Sequence, residues 1–183
     1  MRSTFLATLI VTTLAAATLP ADAAWKQYFN REAGFSFNAP DGVKASKTAY
    51  RSAAAGPRNA TVFEANEDNV VYRVTVVDFN GRTSEEVIKE ASGMFTAGGK
   101  VLSNEEARVD SSYGRKMTVD LPNNGGRSMS GIFFNRNRLV QLQVTVLPAN
   151  GDYASPELGR FVDSLAFEDS RIDTGATELK LQN

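Results

Sequence analysis

Two acidic pairs, Glu85-Glu86 and Glu105-Glu106, come nearest to a catalytic arrangement in this 183-residue chain. Two carboxylates acting as acid and base are the chemistry of glycoside cleavage. Neighbouring residues on a helix do not face each other, however, and on a strand they point to opposite sides. Each pair therefore reads as a solvated face. Asp78 closes the apolar run VVYRVTVVDF, the setting of a pocket acid. The competing reading is a strand-end carboxylate hydrogen-bonded to the Asn80-Gly81 turn. Asn66-Glu67-Asp68-Asn69 and Asn150-Gly151-Asp152 offer the oxygen ligands that calcium takes. Neither has the alternating acidic spacing of a dedicated loop, and turn chemistry accounts for both.

The missing residue types narrow the chemistry further. The chain has no histidine and no cysteine, so a serine–histidine triad, thiol catalysis and zinc–thiolate sites are out of reach. Gly125-Gly126 leads into a strand and Gly98-Gly99 leaves a helix, whereas a phosphate loop must run straight into one. No cofactor and no metal is expected. Arg127, Arg136 and Arg138 lie at or near the ends of one hairpin. They form a candidate partner-facing or anion-binding cluster, because arginine makes planar two-point contacts with carboxylates. The competing role is solubility and the guarding of strand ends. Trp25, Tyr28, Phe29, Phe35 and Phe37 line a ligand groove or belong to the core. Of these, Trp25 and Tyr28 join the three arginines as candidate partner-binding residues.

The elements that must position these residues centre on 127–148, RSMSGIFFNRNRLVQLQVTVLP. Ile132, Phe133 and Phe134 run into the polar turn 135–138. Val140, Leu142, Val144 and Val146 then alternate with Gln141, Gln143 and Thr145. That period of two across a short turn predicts an antiparallel hairpin with one buried face. A second pair is predicted over 61–65 and 70–79, and its all-apolar second strand calls for cover on both faces. Further hairpins are expected over 25–37 and over 100–109 with 112–121. The segment 43–51 reads as a weak strand, and 52–59 (SAAAGPRN) as an exposed loop.

Thr83 and Glu86 form a capping box. Val87, Ile88, Ala91, Met94 and Phe95 follow at helical spacing, and Gly98-Gly99 stops the helix. Ser155 caps a second helix whose first turn holds Pro156 and Glu157. Leu158, Phe161, Val162 and Leu165 mark its apolar face. Residues 169–183 read as a mobile tail.

Several of these pieces together resemble the PsbP-like fold group, which includes photosystem subunits and exported bacterial proteins of unassigned role. They are the stretch GFSFNAP at 34–40, YRVTVVD at 72–78, the hairpin 136–146 and GRFVDSLAF at 159–167. The resemblance implies an α+β fold in which an antiparallel sheet is sandwiched by helices, an α/β/α sandwich. It also implies a binding or accessory role. The photosystem relatives bind partner subunits and help retain inorganic ions, partly through histidine; lacking histidine, this chain does not inherit the ion role.

Arg2, the apolar run from Phe5 to Leu19 and the A-x-A site Ala21-Asp22-Ala23 predict a secretory signal peptide over 1–23, cleaved before Ala24. Periplasmic localisation follows, with one domain over 24–168. Removing Arg2 and Asp22 leaves the net charge at −1, so neither nucleic acid nor an anionic membrane is expected as a partner. No other segment comes near a membrane-spanning length, so no stable membrane insertion is expected after cleavage. The functional expectation is a non-enzymatic accessory domain that binds another periplasmic protein. One alternative is a small-molecule carrier with an apolar pocket between sheet and helix, which requires an internal cavity. The other is a carboxylate-based hydrolase, which requires two acidic side chains converging in one cleft.

Overall fold

The structure is a computed structural model that describes residues 25–167 and 171–181. The expected signal peptide lies outside the described residues. Seven strands form one sheet in the order β3-β4-β5-β9-β8-β7-β6. They are β3 (Lys44–Ser52), β4 (Gly56–Glu67), β5 (Val70–Asp78), β6 (Lys100–Val109), β7 (Ser112–Asp120), β8 (Arg127–Asn135) and β9 (Arg138–Val146). Every neighbouring pair is antiparallel. A smaller sheet holds β1 (Lys26–Asn30), β2 (Phe35–Ala39) and β10 (Thr177–Glu178). The helices are α1 (Ser84–Thr96) and α2 (Pro156–Asp163).

The predicted hairpin β8–β9 lies near the middle of the large sheet, and its turn is tighter than expected. Asn135 pairs with Arg138, which leaves only Arg136 and Asn137 between the strands. Both have positive φ, 48° and 59°, as a two-residue turn matched to strand twist requires. Asp68 and Asn69 join β4 to β5 in the same way.

Alternation along β9 divides the core into two layers. Val140, Leu142, Val144 and Val146 face Tyr28, Phe35 and Phe37 of the small sheet and Leu158, Phe161 and Val162 of α2. On the opposite face Val77, Met117, Ile132 and Leu139 meet Val87 and Ala91 of α1. The expected sandwich is present: α1 covers one face, while α2 shares the other with the small sheet.

On the α2 side the packing is close. A Cβ on Gly131 would lie 2.8 Å from Val162 Cγ1, so the helix approaches β8 where only hydrogen fits. Phe161 is fully buried, with its ring edge-on to Phe37 and Tyr72 at 6.1 and 5.3 Å. Of the side chains through which the helices meet the sheet, Val87, Ala91, Leu158, Phe161 and Val162 are at most 4% exposed, while Ile88 and Phe95 are partly buried.

Three local expectations are corrected. Residues 52–59 are a hairpin tip rather than a loop, for β3 pairs with β4 from Ser52 and Gly56 onward. Pro57 is tolerated because β5 reaches only to Ala60, so no β5 ladder bond is lost there. Met94 lies at the rim of α1 with 44% exposure, and Ser92 takes a buried place instead. The stretch expected as a mobile tail returns to the fold over 171–181. Leu179 N–H donates to Phe29 O at 2.7 Å, Asn30 Nδ2 donates to Leu179 O at 2.8 Å, and Leu179 and Leu181 pack on the core. The open edge of β1 and the alternation of these two leucines explain it.

Candidate interaction groove

The three arginines do not form one cluster. Arg127 begins β8, while Arg136 and Arg138 flank its far end, roughly 25 Å away at a strand rise of about 3.3 Å per residue. Arg127 Nε donates to Asp120 Oδ1 at 2.7 Å and its guanidinium lies 5.4 Å from the Tyr153 ring centre. That hydrogen bond holds the Asp120 carboxyl below its ordinary range. Arg138 is a clamp: it donates to Asp78 Oδ1 at 2.6 Å, Glu32 O at 2.7 Å and Glu32 Oε1 at 3.2 Å. Asp78 is therefore neither a pocket acid nor the partner of its own turn. It stands directly opposite Arg138 across the β5–β9 ladder.

Tyr28, expected as partner-facing, is 3% exposed. It stacks on Phe37 at 5.7 Å, and its hydroxyl donates to Pro40 O at 3.3 Å. Phe29, Phe35 and Phe37 are buried with it, so these aromatics are core. Trp25 is half-buried between the Tyr72 edge at 5.5 Å and the Arg160 guanidinium at 4.0 Å. The two oxygen-rich turns are tied to each other, with Asn150 Nδ2 donating to Asp68 O at 2.7 Å. Among the described residues no group of three acidic side chains is placed to hold a metal.

What the structure brings together is a groove of about 830 Å³ beside α1. Ile88 and Phe134 form its apolar floor. Ser84, Glu85, Lys89 and Ser92 of α1 make one wall; Asn104 and Glu106 of β6 with Tyr113 and Arg115 of β7 make the other. Asn135 and Arg136 close one end. Strand register explains the second wall. Glu106 pairs with Arg115, and Arg108 with Tyr113, so alternate residues of β6 and β7 face α1. Tyr113 is 68% exposed, with Arg108 lying 5.3 Å from its ring centre. Arg115 is steadied by Asn104, whose Oδ1 accepts from Nε at 2.6 Å. The buried Ser92 Oγ and Asn135 Oδ1 on the lining have no hydrogen-bond partner among the described residues. Such atoms favour a ligand that brings polar groups of its own.

Each acidic pair gives one carboxylate to this groove. Glu86 is held in the capping box, its Oε2 accepting from Thr83 N at 3.2 Å, and Glu105 sits opposite Lys116 on the other face of the sheet. Glu85 and Glu106 remain, both solvent-exposed at the rim. They stand on opposite walls of the groove, Glu85 on α1 and Glu106 on β6. The sequence reading missed Tyr113, Asn104 and Arg115. Their signal was available in the alternation of SYGRKMTV, which sends Tyr113 and Arg115 to the same side as the buried Met117.

Two comparisons return nothing: no family model matches the chain, and no curated protein does. Among solved structures it is similar to the solution structure of a cyanobacterial PsbP from Synechocystis, at 13% identity and a TM-score of 0.54. The match covers 84% of this chain and 98% of the other. At that identity the likeness is one of fold, and the chain carries the PsbP-like fold.

Proposed function

We propose that this protein is an exported, non-catalytic accessory domain that binds another periplasmic protein through the groove beside α1. The observation that carries the reading is the groove itself: an apolar floor, an exposed tyrosine and five charged residues, Glu85, Lys89, Glu106, Arg115 and Arg136, on its lining. None of the five is in an ion pair among the described residues. Aromatic and arginine side chains around an apolar centre are the usual anchors of protein interfaces. A carrier of small apolar molecules would instead enclose its ligand in apolar surface, and this groove opens to solvent between polar and charged walls. The signal-peptide pattern at 1–23 supports export, and no helix among the described residues is long and apolar enough to cross a membrane.

The test is a photo-crosslinking amino acid placed in turn at Tyr113, Lys89 and, as a distant control, Lys47 on β3. A shared adduct at the first two positions and none at the third is expected. Adducts at Lys47 alone, or at no position in intact cells, would remove the reading. N-terminal sequencing of the exported protein is expected to begin at Ala24.

A further inference from the structure

The two open edges of the large sheet are built differently. β3 carries Lys44, Lys47 and Arg51 and no acidic residue. Pairing β3 with a second β3 would set cations against cations, a common protection of edge strands. β6, ten residues long and free of proline, carries Lys100, Glu105, Glu106 and Arg108 instead. Both signs lie on one strand, and its outer edge is unpaired among the described residues.

From this difference we infer that β6 is a dimer interface, pairing antiparallel with β6 of a second copy so that Glu106 faces Arg108 in both directions and Ala107 faces itself. Opposed residues in an antiparallel pair share a face. Glu106 and Arg108 meet that condition, because their β7 partners Arg115 and Tyr113 both line the α1 groove. Charge selects the register. Shifts by one step of the ladder put Glu106 against Glu106 or Arg108 against Arg108, and a larger shift sets Glu105 against Glu105. On the regular stretch of the strand the chosen register makes two attractive cross-strand pairs, whereas one centred on Ser103, which sets Lys100 against Glu105, runs across the irregularity between Val101 and Ser103. Neither Glu106 nor Arg108 is in an ion pair among the described residues.

A two-fold axis through such a pair stands perpendicular to the sheet. The fourteen strands then form one continuous sheet, built from two copies of the seven-stranded one. Both α1 helices lie on its same face, and the two grooves open toward each other across the seam. The dimer draws Glu106 of the groove lining into the seam and leaves Glu85, Lys89, Arg115 and Arg136 to whatever the groove binds.

A single strand pair buries less than the roughly 1,200 Å² of a standard interface, so the association is weak and is measured by sedimentation up to about 1 mM protein. The wild-type chain is expected to show a monomer–dimer equilibrium. Glu106→Arg and Arg108→Glu are each expected to weaken it by about tenfold or more through like-charge contact, and the double exchange to restore it. Because the chain has no cysteine of its own, Ala107→Cys gives a second readout. Ala107→Cys is expected to form an intermolecular disulfide on mild oxidation, while Ser103→Cys, which has no copy of itself opposite, is not. Thermal melts confirm that each variant is folded. A monomer at every concentration overturns the inference. So do a dimer indifferent to charge reversal, equal oxidation of both cysteine variants, and growth into larger species without a dimer.

Discussion

The two faces of the large sheet are finished in opposite ways. On the α2 side aromatic rings from three elements interlock, and the small sheet and helix cover the apolar strand faces. On the α1 side a single helix covers Ile132, Leu139 and Met117 and leaves polar ground around it. There Ser128 meets Thr145 at 2.9 Å, and Gln141 Nε2 donates to Ser130 Oγ at 3.1 Å. Apolar burial scales with area removed from water, so the first face holds the fold. The second is left with surface that stability does not require, and the groove lies there. One sheet thus separates the work of staying folded from the work of meeting other molecules.

Substitutions on the two faces should therefore differ in kind. The largest effect is expected from Phe161→Ala, which empties the α2-side core and should cost about 3–5 kcal/mol in denaturant unfolding. Gly131→Ala comes next, at about 1–3 kcal/mol, because its methyl group meets Val162 and the Phe133 ring. If either variant were neutral, the α2 side would not be the load-carrying face.

On the α1 side Glu90 is the main structural tie. Its carboxylate accepts from Ser52 Oγ at 2.8 Å and from the Ala53 and Ala54 amides, fastening the β3–β4 tip to the helix. Glu90→Ala should cost about 1–2 kcal/mol and raise hydrogen exchange at the tip alone. Tyr113→Ala should be smallest, within about 0.5 kcal/mol of wild type, since the ring is mostly in water. Loss of the crosslinked partner with unchanged stability would sharpen the contrast; a large drop in stability would break it.

A pH titration probes the same layer. Burial pushes the Tyr50 hydroxyl up to about 12, with the Glu90 charge adding to the shift. A pKa raised by folding means that stability is complete below the unfolded value near 10 and is lost as pH climbs through the folded one. Unfolding midpoints should fall between about pH 10 and 12, in step with tyrosinate absorbance. In Tyr50→Phe that fall should shrink without vanishing, because burial also pushes Tyr72 upward.

The central hairpin and α1 were legible in the sequence for clear reasons. Period-two alternation at Val140–Val146 and the capping box at Thr83 are local signals, and burial reinforces them. The hairpin tip at 53–55 was not, because small residues with Gly56 and Pro57 look the same in a loop and in a turn that β3 and β4 happen to extend. The Asp78–Arg138 pair joins residues 60 apart in the chain, and only register brings them face to face. The groove was illegible for the same reason: its walls come from separate elements, and no single stretch carries its pattern. The carboxylate pairs show the converse, for their adjacency in sequence is what sends their members apart.

Asn30 and Leu179 are separated by 149 residues, yet they clasp each other through β1 and β10. A ribosome delivers the opening strand of this domain long before the segment that closes beside it. Until then the margin of β1 stays bare, and any premature stop would leave it so. Residues 177–179 thus seal the outer edge of β1, and losing them would expose it.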